Sequence, residues 1–74
     1  MKFEIRPGDA FQKLNDGRVY TVEMANEQVV SCYECRLVKA KSDRYTWYLE
    51  RSGLTEVWRL GDFLNCFKPV GRSK

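Results

Sequence analysis

Apolar residues occur along the chain in short runs between turn residues, a pattern typical of β-strands. The runs are rich in β-branched and aromatic residues, and no window repeats apolar residues at the three-and-four spacing of an amphipathic helix. Turn residues stand at 6–9, 15–17, 26–27 and 52–53. The pattern predicts five strands, at about 10–14, 18–25, 28–38, 44–51 and 55–60.

A single helical turn is predicted after the fifth strand, over residues 62–67. Gly61 ends the strand, Asp62 stands where a side chain can cap a helix, and Phe63 and Phe67 are four residues apart on one helical face. Residues 68–70 close the domain, and the chain is expected to fray after Gly71. The predicted domain covers residues 1–74, ordered over about 6–70, with a basic tail at 71–74.

The two tryptophans are the main core side chains expected from the predicted fourth and fifth strands. A two-residue turn at 52–53 places Trp47 opposite Trp58 across the ladder, with Tyr45 opposite Leu60. Alternation along these strands then turns Tyr48, Val57 and Arg59 outward. The reverse register would expose both tryptophans, which is a stronger sign of an interaction surface. The sequence favours buried tryptophans, because the core is thin without them.

Five hairpin-connected strands and one helical turn can bury a core by curling into a small barrel, which also removes exposed strand edges. Turn-forming and core-forming residues follow one another in the order G-D-x-F, D-G-x-x-Y-x-V, a Trp- and Arg-rich hairpin, and L-x-x-F-x-x-x-F-x-P-V. They are Gly8, Asp9, Phe11, Asp16, Gly17, Tyr20, Val22, Trp58, Leu60, Phe63, Phe67 and Pro69. Over about residues 6–70 the chain resembles short SH3-like barrel proteins carried by phages and prophages. The resemblance implies a five-stranded SH3-like barrel and a phage or prophage setting. These families are mostly uncharacterised, so the resemblance implies no active site.

Length and charge restrict the classes of function. Seventy-four residues form one small domain, which leaves little room for the walls of a large active site. The net charge of +3 comes from the last seven residues, because basic and acidic residues are equal in number over residues 1–67. A neutral body lowers the expectation of a dedicated nucleic-acid binder.

The cysteines indicate a reducing compartment. Cys32, Cys35 and Cys66 are odd in number and cannot all pair within the chain. No apolar run has the length of a signal peptide or a membrane span. We therefore expect a cytoplasmic protein with reduced thiols and no membrane association.

Catalytic and metal chemistry find little support in the sequence. Cys32 and Cys35 have metal-ligand spacing, but the chain has no histidine, and a strand turns residues three apart to opposite faces. A bulge would be needed to bring the two thiols together. Without histidine the commonest general base is missing, and no glycine-rich phosphate loop occurs. We predict no enzyme activity, no metal and no cofactor.

Two surfaces are candidates for binding. The protein-binding surface consists of Tyr48, Val57, Arg59 and Tyr33, because aromatic and Arg side chains are frequent in interface hot spots. The nucleic-acid alternative is the basic and aromatic region of Arg36, Lys39, Lys41, Arg44 and Tyr45. The same lysines are also consistent with a solvated hairpin tip that discourages edge pairing.

The predicted function is a non-catalytic binding module, an accessory or regulatory protein of a phage or prophage that binds a host or phage protein. The alternative is a small nucleic-acid-binding β-barrel. The expected state is a monomer or a weak homodimer.

Overall fold

The computed structural model describes residues 5–42 and 46–70, which form one antiparallel sheet and a short helix. The elements are β1 (Ala10–Lys13), β2 (Val19–Ala25), β3 (Val29–Lys39), β4 (Trp47–Arg59), α1 (Leu60–Cys66) and β5 (Phe67–Pro69). The strand order is β4-β3-β2-β1-β5. The mainly β architecture with a helix near the C-terminus is therefore as predicted.

Local side-chain chemistry forms the first three turns where the sequence predicts them. Gly8 and Gly17 have φ angles of 92° and 76°, which a residue with a Cβ rarely adopts. The Asp16 carboxylate accepts a hydrogen bond from the backbone N–H of Arg18 at 2.9 Å. The Asn26 side-chain oxygen accepts bonds from the backbone N–H groups of residues 28 and 29. The first of these turns precedes β1, and the other two join β1 to β2 and β2 to β3.

Aromatic rings fill the core between the sheet and α1. Phe63 stacks on Phe67 with ring centres 4.3 Å apart, and Phe11 meets Phe63 edge-on at 4.9 Å. Tyr20 and Trp58 both meet Phe67 edge-on at 5.2 Å. The buried cluster comprises Phe11, Tyr20, Val22, Val30, Cys32, Phe63 and Phe67. Phe63 and Phe67 thus lie in one core, although Phe67 belongs to β5 and not to the helical turn predicted over 62–67.

The helix differs from the prediction at its start. It begins at Leu60, directly after β4, and includes Gly61. Asp62 lies in the first turn, whereas the N-cap residue is Arg59, which makes no side-chain capping bond. The apolar contacts of Phe63, which is fully buried, hold the helix on the sheet in place of a cap.

The predicted turn at Ser52 and Gly53 is wrong, because both residues lie inside the continuous strand β4. The register pairs Tyr33 with Thr55 and Cys35 with Arg51, so β4 has two more residues than β3 in this interval. The extra residues form a bulge. Ser-Gly suits a turn locally, but here β3 continues beside it and keeps both halves of β4 paired.

The continuous β4 also corrects the predicted tryptophan pair. Trp47 lies opposite Lys39, and Trp58 lies opposite Val30 near the other end of the strand. Trp58 is half-buried against the core, whereas Trp47 is 54% exposed. The core closes instead with Phe63 and Phe67.

The barrel is not confirmed, because the sheet is not closed over the described residues. Strands β4 and β5 lie at its two ends, and the pairing partner of β5 is β1. Since residues 52–53 bulge instead of turning, no separate strand returns from them to meet β1. The helix covers the core in place of a closing strand.

Candidate interaction surface

One end of the β3–β4 hairpin extends beyond the third strand. Strand β2 pairs with β3 from Cys35 back to Val30. Residues 35–39 and 47–51 pair with each other, and beyond Cys35 the described residues place no third strand beside them. We call these two segments the distal ribbon. Its extension agrees with the elongated dimensions of the molecule, 40 × 25 × 20 Å.

Strand alternation gives the sheet a core face and an outer face. Residues opposite each other on antiparallel strands point to the same side. Cys32 lies in the core, so the even-numbered residues of β3 point to the core face. Thr21, Tyr33 and Thr55 are aligned across three strands on the other side, which is the outer face. The bulge adds an even number of residues, so the odd-numbered residues of β4 point outward on both sides of it.

Large apolar side chains are exposed on the outer face. Leu37 is 61% exposed, Leu49 39% and Trp47 54%, and these three lie together in the distal ribbon, whereas Val57, 68% exposed, lies farther along β4 beyond the bulge. On a folded chain of this size, neighbouring exposed apolar side chains indicate a contact surface. We call the following residues the outer patch: Tyr33, Leu37, Lys39, Trp47, Leu49, Arg51, Val57 and Arg59.

Cationic groups lie against the aromatic rings of the outer patch. Lys39 Nζ is 5.9 Å from the centre of a Trp47 ring, and Arg51 Cζ is 4.6 Å from the centre of the Tyr33 ring. Arg51 also donates hydrogen bonds to the Gly53 carbonyl and to Thr55 Oγ1, at 2.9 and 2.8 Å. These bonds hold the guanidinium near the Tyr33 ring, whose face attracts a cation.

Charge is unevenly divided between the two faces. The acidic residues of β3 and β4, Glu34, Glu50 and Glu56, have even numbers and therefore point to the core side. Glu23 of β2 is the acidic residue described on the outer face, where Ser31 and Thr55 donate hydrogen bonds to it at 3.3 and 3.5 Å. The outer patch therefore presents three cations and no acid of its own.

The predicted protein-binding residues divide between the faces. Tyr33, Val57 and Arg59 lie on the outer face, as one surface requires. Tyr48 is also exposed, but it is opposite Val38 on the core side. The predicted patch of Tyr48 with Val57 and Arg59 is wrong in this respect, because a continuous β4 gives residues 48 and 57 opposite orientations.

The predicted nucleic-acid region is divided as well. Arg36 lies on the core side, where its Nη2 is 2.8 Å from Glu50 Oε1. Lys39 belongs to the outer patch, and Lys41 is exposed in the connection after β3. The described residues therefore place the cations of this region on different sides. The remaining members of the predicted set, Arg44 and Tyr45, lie outside the described residues.

The two neighbouring thiols point to opposite faces. Cys32 is fully buried in the core, whereas Cys35 Sγ lies 3.1 Å from Thr21 Oγ1 on the outer side. Burial, with a smaller effect from the Glu56 carboxylate, raises the pKa of Cys32 to about 11. This thiol therefore stays protonated at neutral pH. The described residues contain no cluster of three or more His, Cys, Asp or Glu side chains arranged to hold a metal ion.

Sequence reasoning missed the apolar half of the outer patch. The predicted turn at 52–53 places Trp47 toward the core and, by alternation, Leu49 as well, and no pattern in the sequence singles out Leu37. The signal for their exposure was the reverse register, in which Trp47 points outward. The structure adopts that orientation for Trp47 and keeps Trp58 half-buried.

Comparisons of the chain with models of protein families, with curated proteins and with solved structures found no match. Over residues 5–42 and 46–70, no helix has the length and apolar content needed to cross a membrane.

Proposed function

We propose that this chain is a small non-catalytic binding module that holds a protein partner on the outer patch. The observation that carries the proposal is the exposure of Leu37, Trp47 and Val57 on one face of an extended hairpin. Folded chains bury such side chains when an internal position is available, and here the described residues leave them in solvent. A partner surface would remove them from water.

The cations of the patch indicate the chemistry of the partner. Lys39, Arg51 and Arg59 surround apolar and aromatic side chains on a face whose own strands β3 and β4 contribute no acid. An acidic surface with apolar residues at its centre would complement this face in charge and in polarity. Arg51 is already held over Tyr33, so little side-chain entropy would be lost when it contacts a carboxylate.

The absence of histidine from the chain supports a binding role without catalysis. The Cys32 thiol has a raised pKa and no exposure, which are the opposite of the properties of a nucleophilic cysteine. The phage or prophage setting suggested by the sequence resemblance is compatible with a small binding module, and the proposal does not depend on it.

Nucleic acid is the second candidate partner, and one observation favours it. Trp47 and Tyr33 each have a cation beside the ring, and exposed aromatic rings with nearby cations are the means by which small β-proteins stack single-stranded bases. The protein partner is favoured because Leu37, Leu49 and Val57 add aliphatic area that bases do not need.

The test is affinity capture from a bacterial lysate, with and without nuclease, by the tagged wild-type chain and two variants. Val57→Ser combined with Arg59→Glu alters the outer patch outside the distal ribbon. Leu14→Ser is the control, because Leu14 is 58% exposed and lies in the β1–β2 turn.

We expect to capture a partner protein whose binding is unaffected by nuclease. The wild-type chain and the control should retain it, and the double variant should not. Retention by all three chains would contradict the outer patch as the binding surface. Loss on nuclease treatment, together with binding that weakens steeply as salt is raised, would identify nucleic acid as the partner.

A further inference from the structure

The free side of β4 presents a regular row of backbone hydrogen-bonding groups. The backbone N–H of Ala40 donates to the carbonyl of Thr46 at 2.8 Å, and the register places these residues opposite each other. Hydrogen-bonded and non-hydrogen-bonded pairs alternate along an antiparallel ladder, so every second residue of β4 turns its N–H and C=O away from β3. In the distal ribbon these residues are Trp47, Leu49 and Arg51.

The strand order places β4 at an end of the sheet, and the described residues put no strand beyond it. Exposed edges of this kind template pairing with another strand. The edge also carries large exposed apolar side chains, Trp47, Tyr48 and Leu49. Edge hydrogen bonding and apolar burial are thus available in the same five residues.

We infer that β4 pairs with β4 of a second copy of this chain, antiparallel over residues 47–51, with a twofold axis at Leu49. The resulting sheet is continuous through both copies. This inference goes beyond the proposed function, since it concerns pairing along the backbone edge of β4, although the side chains of Trp47, Leu49 and Arg51 belong to the outer patch as well.

The register follows from symmetry and from the row of backbone groups. Opposite residues share a face, so the twofold axis lies midway between the two copies of one residue and not between residues of different number. An axis at Leu49 pairs every outward-facing backbone group of the segment. An axis at Tyr48 leaves Arg51 without a partner in the segment, and an axis at Glu50 sets two carboxylates opposite each other and leaves Trp47 unpaired.

The side chains of segment 47–51 complement themselves in this register. Leu49 meets Leu49 of the second copy, which removes both aliphatic side chains from water. Arg51 stands opposite Trp47 of the second copy, where its aliphatic stem packs on the indole ring while its guanidinium stays over Tyr33. Glu50 stands opposite Tyr48, whose hydroxyl can donate to the carboxylate. No like charges are opposed.

The other half of the edge is less suited to self-pairing. Residues 55–59 carry one large exposed apolar side chain, Val57. The Trp58 indole N–H already donates to Glu56 Oε1 at 3.1 Å, and the Trp58 ring packs on the core. The bulge at 52–54 separates this half from the distal ribbon and ends the pairing there.

A cysteine on the twofold axis tests the register directly. In a hydrogen-bonded antiparallel pair the Cα atoms are about 5.5 Å apart, which is within the range that a disulfide spans. Leu49→Cys is therefore expected to form a disulfide-linked dimer under mild oxidation. Leu37→Cys is the matched control, because Leu37 lies opposite Leu49 on the same face and is exposed but is displaced from the axis. The wild-type chain gives the background from its three native thiols.

Sedimentation equilibrium up to about 1 mM protein tests the association itself. Leu49→Lys is expected to weaken dimerisation at least tenfold, a difference of about 1.4 kcal/mol, while Val57→Lys leaves it unchanged. A chain that stays monomeric at 1 mM, or a dimer that Val57→Lys disrupts and Leu49→Lys does not, would overturn the inference. The same is true if Leu37→Cys crosslinks faster than Leu49→Cys.

The two proposals fail separately. A monomeric chain that still captures its partner through the outer patch overturns the self-pairing and leaves the proposed function. A dimer that captures no partner supports the self-pairing and counts against the proposed function.

Discussion

Gly53 lies so close to Glu34 that a Cβ atom at position 53 would stand 3.0 Å from the Cβ of Glu34. The contact belongs to the bulge, where β4 passes its extra residues beside β3. Because the Glu34 Cβ is attached directly to the backbone of β3, it moves only if the strand moves. The close approach of the neighbouring strand, and not its own φ angle, therefore favours a glycine at position 53.

We expect Gly53→Ala to destabilise the fold by about 1 kcal/mol, because overpacking of roughly 1–3 kcal/mol exceeds the roughly 0.4–1 kcal/mol gained from a stiffer unfolded chain. Urea unfolding followed by circular dichroism measures the change. Gly61→Ala is the control, because a Cβ there meets nothing within 4 Å and Gly61 is helical. It should stabilise by roughly 0.5–1 kcal/mol. Equal effects of the two variants would contradict the tight approach at the bulge.

The two tryptophans should contribute very differently to stability. Trp58 packs edge-on against Phe67, and Lys13 Nζ lies 5.1 Å from the centre of a Trp58 ring. Trp58→Ala is therefore expected to cost about 2–3 kcal/mol, below the value for a fully buried tryptophan. Trp47→Ala should change stability by less than about 0.5 kcal/mol. Iodide quenching of tryptophan fluorescence gives an independent check. A variant that retains only Trp47 should be quenched more strongly than a variant that retains only Trp58.

The helix should depend on Phe63 more than on any capping residue. Its ring stacks on Phe67 and meets Phe11 edge-on, and the side chain is fully buried. Phe63→Ala should cost roughly 3–5 kcal/mol, enough to unfold much of a domain of this size at room temperature. Asp62→Ala, one residue away in the first turn, should cost under about 1 kcal/mol. Similar losses for both variants, measured by urea unfolding, would show that capping and not core packing holds the helix.

Stability should fall in the alkaline range. Burial is the main cause that raises the pKa of Cys32 to about 11 and the pKa of Tyr20 to about 12, with Glu56 adding to both. A raised pKa in the folded state means that the folded chain holds its proton where the unfolded chain has lost it. The stabilising contribution is therefore complete below about pH 9 and decreases as the pH rises toward 12.

The urea midpoint, measured at intervals from pH 7 to pH 11.5, checks this dependence. Tyr20→Phe should make the decline above about pH 10 shallower, because the variant lacks the titrating hydroxyl. A midpoint that is constant above pH 9, or one that rises, would contradict the burial of these two groups.

Local chemistry explains which parts of the fold the sequence predicts. The turn at Gly17 requires a positive φ angle, and the turn at Asn26 uses a side-chain oxygen that reaches its own following backbone. Both properties depend on a few adjacent residues. The pairing of Phe63 with Phe67 depends on more than helical spacing, since Phe67 belongs to β5 and is held opposite Lys13 of β1.

The orientation of β4 could not be predicted in the same way. Ser52 and Gly53 suit a turn and a bulge equally well, and the choice depends on whether β3 continues beside them. That is a contact between residues about twenty positions apart. Whether the side chains of Trp47 and Leu49 face the core or solvent depends on this choice. The apolar half of the outer patch could therefore not be predicted from the sequence. Tyr33, Val57 and Arg59 were recognised because they lie clear of the ambiguous positions.

The two extra residues of β4 also determine how this chain can tolerate changes in length. Removing both leaves the alternation on each side of the bulge in step, so that Trp58 still points to the core and Val57 still points to solvent. Removing one residue reverses the face to which every following side chain of β4 points. Val57 and Arg59 would then point toward the core, and Trp58 would point to solvent. Related sequences are therefore expected to lose or gain residues here in pairs. An insertion of a single residue keeps the reading frame of the gene but reverses which side chains of the following strand face the core.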